Sequence, residues 1–266
     1  MYDMEISYHD LCWEKEDIVK ALDEIKAGGF TSIHISEHNL TLYADRAVIL
    51  KEILEVNSMS ISSAEVSVDF FSFDSEENIR IANILQFLHE INADSLVVFQ
   101  GKTENEDVNP TQKKLIENLE KVVEMAAEKD IRVSFGIRSK SLFNSKETIK
   151  QFFSLASKHI FIAYDSYVFD KLNMGQLNYL KSIVSRIGHV YLTDKKTIKK
   201  KNTPIKYQNV PLGKGGGNIE KIISSLESAD YKGWVTVKQP AVRNKAAVDV
   251  VTANRKYLDT ELGLLV

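Results

Sequence analysis

Eight short apolar segments of this chain each lead into residues that can do chemistry. Glu65 and Asp165 supply carboxylates, the groups suited to taking or returning a proton. Lys238 supplies an ammonium that can polarise a carbonyl or hold a phosphate or carboxylate. Arg138 supplies a planar fork for the same anions. Gln100 and Tyr191 carry the donors and acceptors that the hydroxyls of a polyol need. The run Gly213-Lys-Gly-Gly-Gly217 contains Lys214 and Gly215 and precedes a helix opening at Asn218 and Ile219, an arrangement that can wrap a phosphate in backbone amides. As a set these residues suit a small, hydroxylated, anionic molecule, with Asp165, Lys238 and Glu65 nearest the chemistry and Gln100, Arg138, Tyr191, Lys214 and Gly215 binding it.

Every one of these residues also has a purely structural reading. Glu65 can cap a helix or close a salt bridge, and Asp165 with Lys238 can form an ion pair that fills the same space. Gln100 and Tyr191 can simply pack, and the glycine run can be a flexible loop. His34 falls inside an apolar segment, where a hydrogen-bonded interior histidine is expected, while His9 and His38 follow such segments without visible ligand partners. Lys195, Lys196, Lys199, Lys200, Lys201 and Lys206 read as a solvated basic loop or as an anion or partner site.

The elements that must position these residues alternate strand and helix. Short β-branched or apolar runs occur at 4–8, 32–35, 60–64, 95–99, 131–135, 160–164, 190–193 and 234–237. Their near-continuous hydrophobicity suits strands covered on both faces. Between them lie stripes of helical period, such as Ile18, Leu22 and Ile25, or Ile81, Ile84, Leu85 and Leu88. Gly28-Gly29 ends the first helix, Pro110-Thr111 opens the fourth, and Asn144 with Glu147 offers a capping box to the fifth. A spacing of roughly 30 residues per strand fits right-handed βα units. Eight of them predict one closed (β/α)8 barrel over 1–266, with a closing helix at about 245–262. An open doubly wound sheet is the competitor. It calls for a glycine-rich turn after the first strand, where this chain has Tyr8-His-Asp-Leu-Cys-Trp13. In a barrel the residues singled out above gather at the C-terminal ends of the strands.

Composition excludes several classes of function. With 266 residues and 44% hydrophobic content the chain can bury a full core without staples. A net charge of −3 does not recommend nucleic acid or an anionic membrane as a partner. The single cysteine, Cys12, rules out an internal disulfide framework and suits a reducing, cytoplasmic setting. The opening Met-Tyr-Asp-Met-Glu-Ile lacks the basic and apolar regions of a secretory signal, and no run of about 18 apolar residues is long enough to span a bilayer.

Three segments carry a resemblance: His189-Val-Tyr-Leu-Thr-Asp194, Val210-Pro-Leu-Gly-Lys-Gly215 and Tyr231-Lys-Gly-Trp-Val-Thr-Val-Lys238. In this order they resemble the xylose-isomerase-like TIM barrels, which include sugar and sugar-phosphate isomerases and epimerases and the endonuclease-IV-type repair enzymes. The resemblance implies a divalent metal held by Glu, Asp, His and Glu at strands five to eight, where two glutamates move a proton through an enediolate. Laid on this chain those positions are Gly136, Asp165, Tyr191 and Lys238. One carboxylate and an ammonium make a poor cation site, so no metal or other cofactor is expected. Lys238 instead stands in for the cation beside Asp165. Repair of nucleic acid is disfavoured for want of the metal ligands and a basic surface. Two functional readings remain: a metal-independent sugar or sugar-phosphate isomerase or epimerase, or a pseudoenzyme that binds a sugar, sugar phosphate or sugar acid without turnover. Relatives are often dimers or tetramers, which makes a homo-oligomer an expectation.

Overall fold

The computed structural model describes residues 4–13, 18–101, 111–138, 142–143, 145–175, 177–199 and 206–263. Its parallel strands are β1 (Glu5–His9), β2 (Ser32–Ile35), β3 (Ser60–Val68), β4 (Ser95–Gln100), β5 (Arg132–Gly136), β6 (Phe161–Asp165) and β7 (Ile187–Leu192). A separate antiparallel hairpin follows, β8 (Lys195–Ile198) with β9 (Lys206–Asn209), and β10 (Trp234–Val237) completes the set. The eight parallel strands close in the order β1-β10-β7-β6-β5-β4-β3-β2, with β2 paired back to β1. Each barrel strand lies beside its predecessor, as (β/α)8 topology requires. The expected strands are present to within a few residues. The largest departure is β3, which continues to Val68 because Val66 and Val68 pair with Val98 and Gln100 of β4. Glu65 therefore sits within a strand instead of at its end.

Ten helices surround the barrel among the described residues: α1 (Ile18–Ala27), α2 (Glu37–Tyr43), α3 (Ala47–Asn57), α4 (Ser75–Glu90), α5 (Gln112–Ala127), α6 (Lys146–Leu155), α7 (Ser166–Lys171), α8 (Leu177–Ile183), α9 (Ile219–Ser228) and α10 (Ala247–Glu261). Their apolar stripes are buried, as with Ile18, Leu22 and Ile25 in α1 and Ile81, Ile84, Leu85 and Leu88 in α4. Burying such side chains contributes about 1.5–3 kcal/mol each before chain entropy is counted. A Cβ on Gly28 would lie 2.2 Å from Val251 of α10, so only glycine lets the first and last helices close on each other. None of the described helices is long and apolar enough to cross a membrane.

Two local expectations need correcting. The capping box of α6 uses Ser145 and Thr148, whose side chains each accept the other's backbone N–H at 3.2 and 3.1 Å. Starting the helix at Lys146 places the third helical position at Thr148, leaving Glu147 exposed; Asn144 lies outside the described residues. The basic excursion after β7 is the hairpin β8–β9, with Lys196 and Lys199 exposed. Lys200 and Lys201 fall outside the described residues, as does Pro110.

The barrel interior departs from the usual filling of Val, Ile and Leu. A small apolar cluster of Val97, Phe99, Ala163 and Tyr191 shares it with buried Ser7, His9, His34, Ser63, His189 and Thr236. Buried polar groups cost stability unless they are paired, and most of these are. Ser7 Oγ and Thr236 Oγ1 lie 2.7 Å apart, Thr236 Oγ1 is 2.9 Å from His189 Nε2, and His34 Nδ1 is 2.5 Å from Ser63 Oγ.

Candidate active site

The polar interior converges on Glu65. The inward faces of β1, β2 and β3 bring His9, His34 and Glu65 together, with His9 and His34 in register as strand neighbours. Glu65 Oε2 is 3.3 Å from His9 Nε2 and 3.8 Å from His34 Nε2. Across the barrel Tyr191 donates its hydroxyl to the same oxygen at 3.1 Å, and Lys238 donates its ammonium at 2.5 Å. Lys238 Nζ also faces the ring of Tyr191 at 4.4 Å and that of Phe99 at 5.3 Å. The His9 and His34 rings stack with centroids 4.5 Å apart.

Electrostatics follow from this packing. Burial alone would push the Glu65 carboxyl up, but the Lys238 ammonium and His9 hold it well below the usual carboxylate range. Burial lowers the affinity of His9 for a proton, but Glu65 and Asp10 outweigh it and the net direction is upward. His34 is held well below its ordinary value by burial and by its histidine neighbours, and His189 is pushed down to about 3 by burial and Lys238. Burial, then the Glu65 carboxylate, pushes the Tyr191 hydroxyl well up. The site therefore presents a charged carboxylate, an ammonium and a neutral phenol within hydrogen-bonding distance of one another.

Asp165 ends β6 as the register partner of Tyr191 but makes no ion pair with Lys238. Its Oδ1 accepts from Tyr167 N and Val168 N at 2.9 and 3.0 Å, capping α7. Burial raises its pKa against the opposing pull of Lys238. The expected placement of the Lys238 ammonium beside Asp165 is corrected: Lys238 bonds Glu65. The reason is that two backbone amides already claim the aspartate, while the longer Glu65 side chain projects inward from β3.

The positions that the resemblance assigns to a divalent ion do not fit one. Phe99 and Gly136 are register partners, and a Cβ on Gly136 would lie 2.1 Å from the Phe99 ring, which fills the space of the absent glutamate. Tyr191 and Lys238 both point at Glu65 instead of sharing a centre with Asp165. Arg138 stands at the rim with its guanidinium 4.8 Å over the Phe99 ring, donating to Gln100 O and Ser67 Oγ. Gln100 is occupied structurally: its Oε1 accepts from Phe70 N, and its Nε2 donates to Asp69 Oδ1 and Gly101 O.

The glycine loop already holds an anion, and it belongs to the chain. Gly215 N and Gly217 N donate to the two oxygens of the buried Asp194 carboxylate at 2.8 and 3.0 Å. A Cβ on Gly215 would lie 2.2 Å from that carboxylate. Read from sequence as either a flexible loop or a phosphate cradle, the loop is filled by the residue that ends the His189–Asp194 segment. Exposed Lys214 lines a groove of about 680 Å³ along α10 that includes none of His9, Glu65, Tyr191 or Lys238.

His9 and His34 are the members that sequence reasoning undervalued. The signal was parity: His9, His34 and Glu65 all occupy inward positions, so three consecutive strands each turn a ligand-type side chain into the barrel. His38 is instead exposed on α2.

The family model for xylose isomerase-like TIM barrels matches residues 22–260. An inosose dehydratase of Glaesserella parasuis serovar 5 (strain SH0165) is 24% identical over 92% of this chain and 90% of its own length. The probable 3-DHS dehydratase of Bacillus anthracis superposes with a TM-score of 0.77 at 12% identity, covering 97% of this chain and 99% of that one. The D-allulose 3-epimerase of Methylomonas sp., in complex with D-allulose, gives 0.75 at 15% identity over 96% of each chain. A match over most of the sequence and a shared barrel lead to one conclusion: this chain belongs to the xylose isomerase-like TIM barrel family.

Proposed function

We propose that this protein takes a small polyhydroxylated carbonyl compound (a sugar, sugar phosphate or sugar acid) in the barrel mouth and catalyses proton transfer next to the carbonyl, without a metal at strands five to eight. The observation that carries this reading is the Lys238–Glu65 pair with Tyr191 on the same oxygen. Abstraction of the proton α to a carbonyl needs a base at carbon and a positive donor at oxygen. Glu65 serves as the base and Lys238 as the donor that stabilises the enediolate. The C–H electron pair becomes the enediolate double bond and the carbonyl oxygen takes the charge. Return of the proton to the opposite face of the same carbon completes epimerisation, whereas its return to the former carbonyl carbon, with the neighbouring hydroxyl proton passing to the former carbonyl oxygen, completes isomerisation. Dehydration of a β-hydroxy ketone begins with the same step, so the names of the inosose dehydratase and D-allulose epimerase relatives support one shared first step.

The pairing also supplies a switch in base strength. While Lys238 bonds Glu65, the carboxylate is a weak base. A substrate oxygen that draws the ammonium away leaves burial to dominate, which raises the carboxylate's basicity where the proton is to be taken. Arg138 at the rim and Lys238 below favour an anionic substrate.

The test combines binding and exchange. Inosose, D-allulose and simple ketose phosphates are screened by thermal shift, and hits are incubated in D2O and followed by NMR for loss of the α C–H signal. Exchange that is abolished by Glu65→Gln supports the reading. Stabilisation by a ligand without exchange favours the second reading, a sugar-binding pseudoenzyme, for which the weakly basic resting Glu65 speaks. Absence of both sinks the proposal.

A further inference from the structure

The residues around Glu65 form a ligand set that the proton-transfer reading does not use. His9, His34 and Glu65 each present one ligand atom, all within 4.8 Å of one another. Ligands of a tetrahedral ion at about 2.0–2.2 Å stand about 3.3 Å apart. Glu65 Oε2 already lies 3.3 Å from His9 Nε2 and 3.8 Å from His34 Nε2. Two imidazoles and one carboxylate suit zinc, iron, cobalt or nickel, and not magnesium or calcium.

The outer contacts also suit this purpose. His9 is fully buried, and its Nε2 has no aligned hydrogen-bond partner despite its nearness to Glu65. Its other nitrogen accepts from Leu11 N at 3.0 Å and faces Asp10 Oδ1 at 3.2 Å, which fixes the ring with Nε2 aimed at Glu65. The Asp10 carboxylate is itself fixed by Ser36 N, Ser36 Oγ and Asn39 Nδ2. His34 Nδ1 bonds Ser63 Oγ, and its Nε2 lies 3.2 Å from the hydroxyl oxygen of Tyr191, whose proton goes to Glu65. Carboxylate or hydroxyl partners on the far nitrogen are what orient metal-binding histidines.

We propose that His9, His34 and Glu65 form a transition-metal site that the Lys238 ammonium keeps closed, so that metal and ammonium are alternative cations at one carboxylate. This set sits on β1, β2 and β3; of the strand five to eight positions found unfit above, Tyr191 and Lys238 touch it but supply none of its ligands, and the inference does not depend on the sugar chemistry. The ammonium satisfies the carboxylate but leaves His9 Nε2 without an aligned partner, whereas a divalent ion engages all three ligands. Lys238 is on a flexible stem with its side chain 16% exposed, so it has a way out.

Co2+ is the probe, because its visible absorption distinguishes four-coordinate nitrogen and oxygen ligation from the aqueous ion. Wild type, Lys238→Met and Lys238→Gln are titrated after chelator treatment, with far-UV circular dichroism to verify folding. Both variants are expected to take up one Co2+ per chain at least tenfold more tightly than wild type, and His34→Ala in either background to abolish the absorption. Two results overturn the proposal: no stoichiometric Co2+ in either folded variant, or wild-type affinity equal to theirs. Binding that survives His34→Ala overturns the ligand assignment. Loss of sugar binding or of proton exchange leaves all of these readouts unaffected, so the two proposals fail separately.

Discussion

The ammonium of Lys238, just past the end of the last barrel strand, donates to Oε2 of Glu65 on the third at 2.5 Å, spanning β1 and β2. Both side chains are only 16% exposed, so each charge depends on the other. Removing one partner of a largely buried pair leaves an uncompensated charge, which costs about 3 kcal/mol.

Lys238→Met is therefore expected to destabilise the protein by about that amount in urea denaturation, and Glu65→Gln in the same chain to recover most of it. Purely additive losses in this double-mutant cycle would show that the contact carries no coupling energy.

Asp165 behaves as a helix cap. Asp165→Ala is expected to cost about 1 kcal/mol through loss of the bonds from Tyr167 N and Val168 N. Its coupling to Lys238→Met should be smaller than that of Glu65. Metal content of the purified protein should be the same with and without the Asp165 carboxylate; an ion lost on Asp165→Ala would contradict this.

The glycine loop offers an internal control. Gly215→Ala pushes a methyl into the Asp194 carboxylate and is expected to cost about 1–3 kcal/mol. Gly216 faces open space, and Gly216→Ala should stay within about 0.5 kcal/mol. Equal effects in thermal melts would mean that Asp194 does not organise the loop.

Gly136→Ala must displace the Phe99 ring, its register partner, at about 1–3 kcal/mol. Phe99→Leu in the same chain should recover part of the loss, because a branched aliphatic side chain leaves room for the new methyl. No recovery would place the strain elsewhere.

Acid is expected to weaken the fold. His34 and His189 have depressed proton affinities when folded, His189 at about 3 against an ordinary 6.5. Their contribution is complete above about pH 6.5 and is lost as pH falls, because the unfolded chain takes protons that the native one refuses. Each imidazole should steepen the loss by about 1.4 kcal/mol per pH unit well below 6.5. His9 shifts upward, so its contribution is present below pH 6.5 and fades above it. Urea midpoints at pH 7, 6 and 5 should fall, and a flat profile would mean that the two imidazoles are hydrated in the native state.

Sequence determined the barrel. Strand runs such as 32–35 and 234–237, the Ile18–Leu22–Ile25 stripe and the glycines after α1 act locally, through side-chain period and backbone freedom, and such signals survive without knowledge of distant partners. It also placed Glu65, Tyr191, Arg138 and Lys238 at the mouth, because strand parity and the C-terminal rule depend only on position along each strand. Only the tertiary structure decided which charges meet. Lys238 chose Glu65 over Asp165, Asp194 filled the glycine loop, Phe99 covered Gly136, and His9 and His34 closed on one carboxylate oxygen. These outcomes depend on angstrom distances across a closed barrel between residues up to 173 positions apart. Electrostatic and packing energies change steeply over such distances, and nothing in the local sequence encodes them.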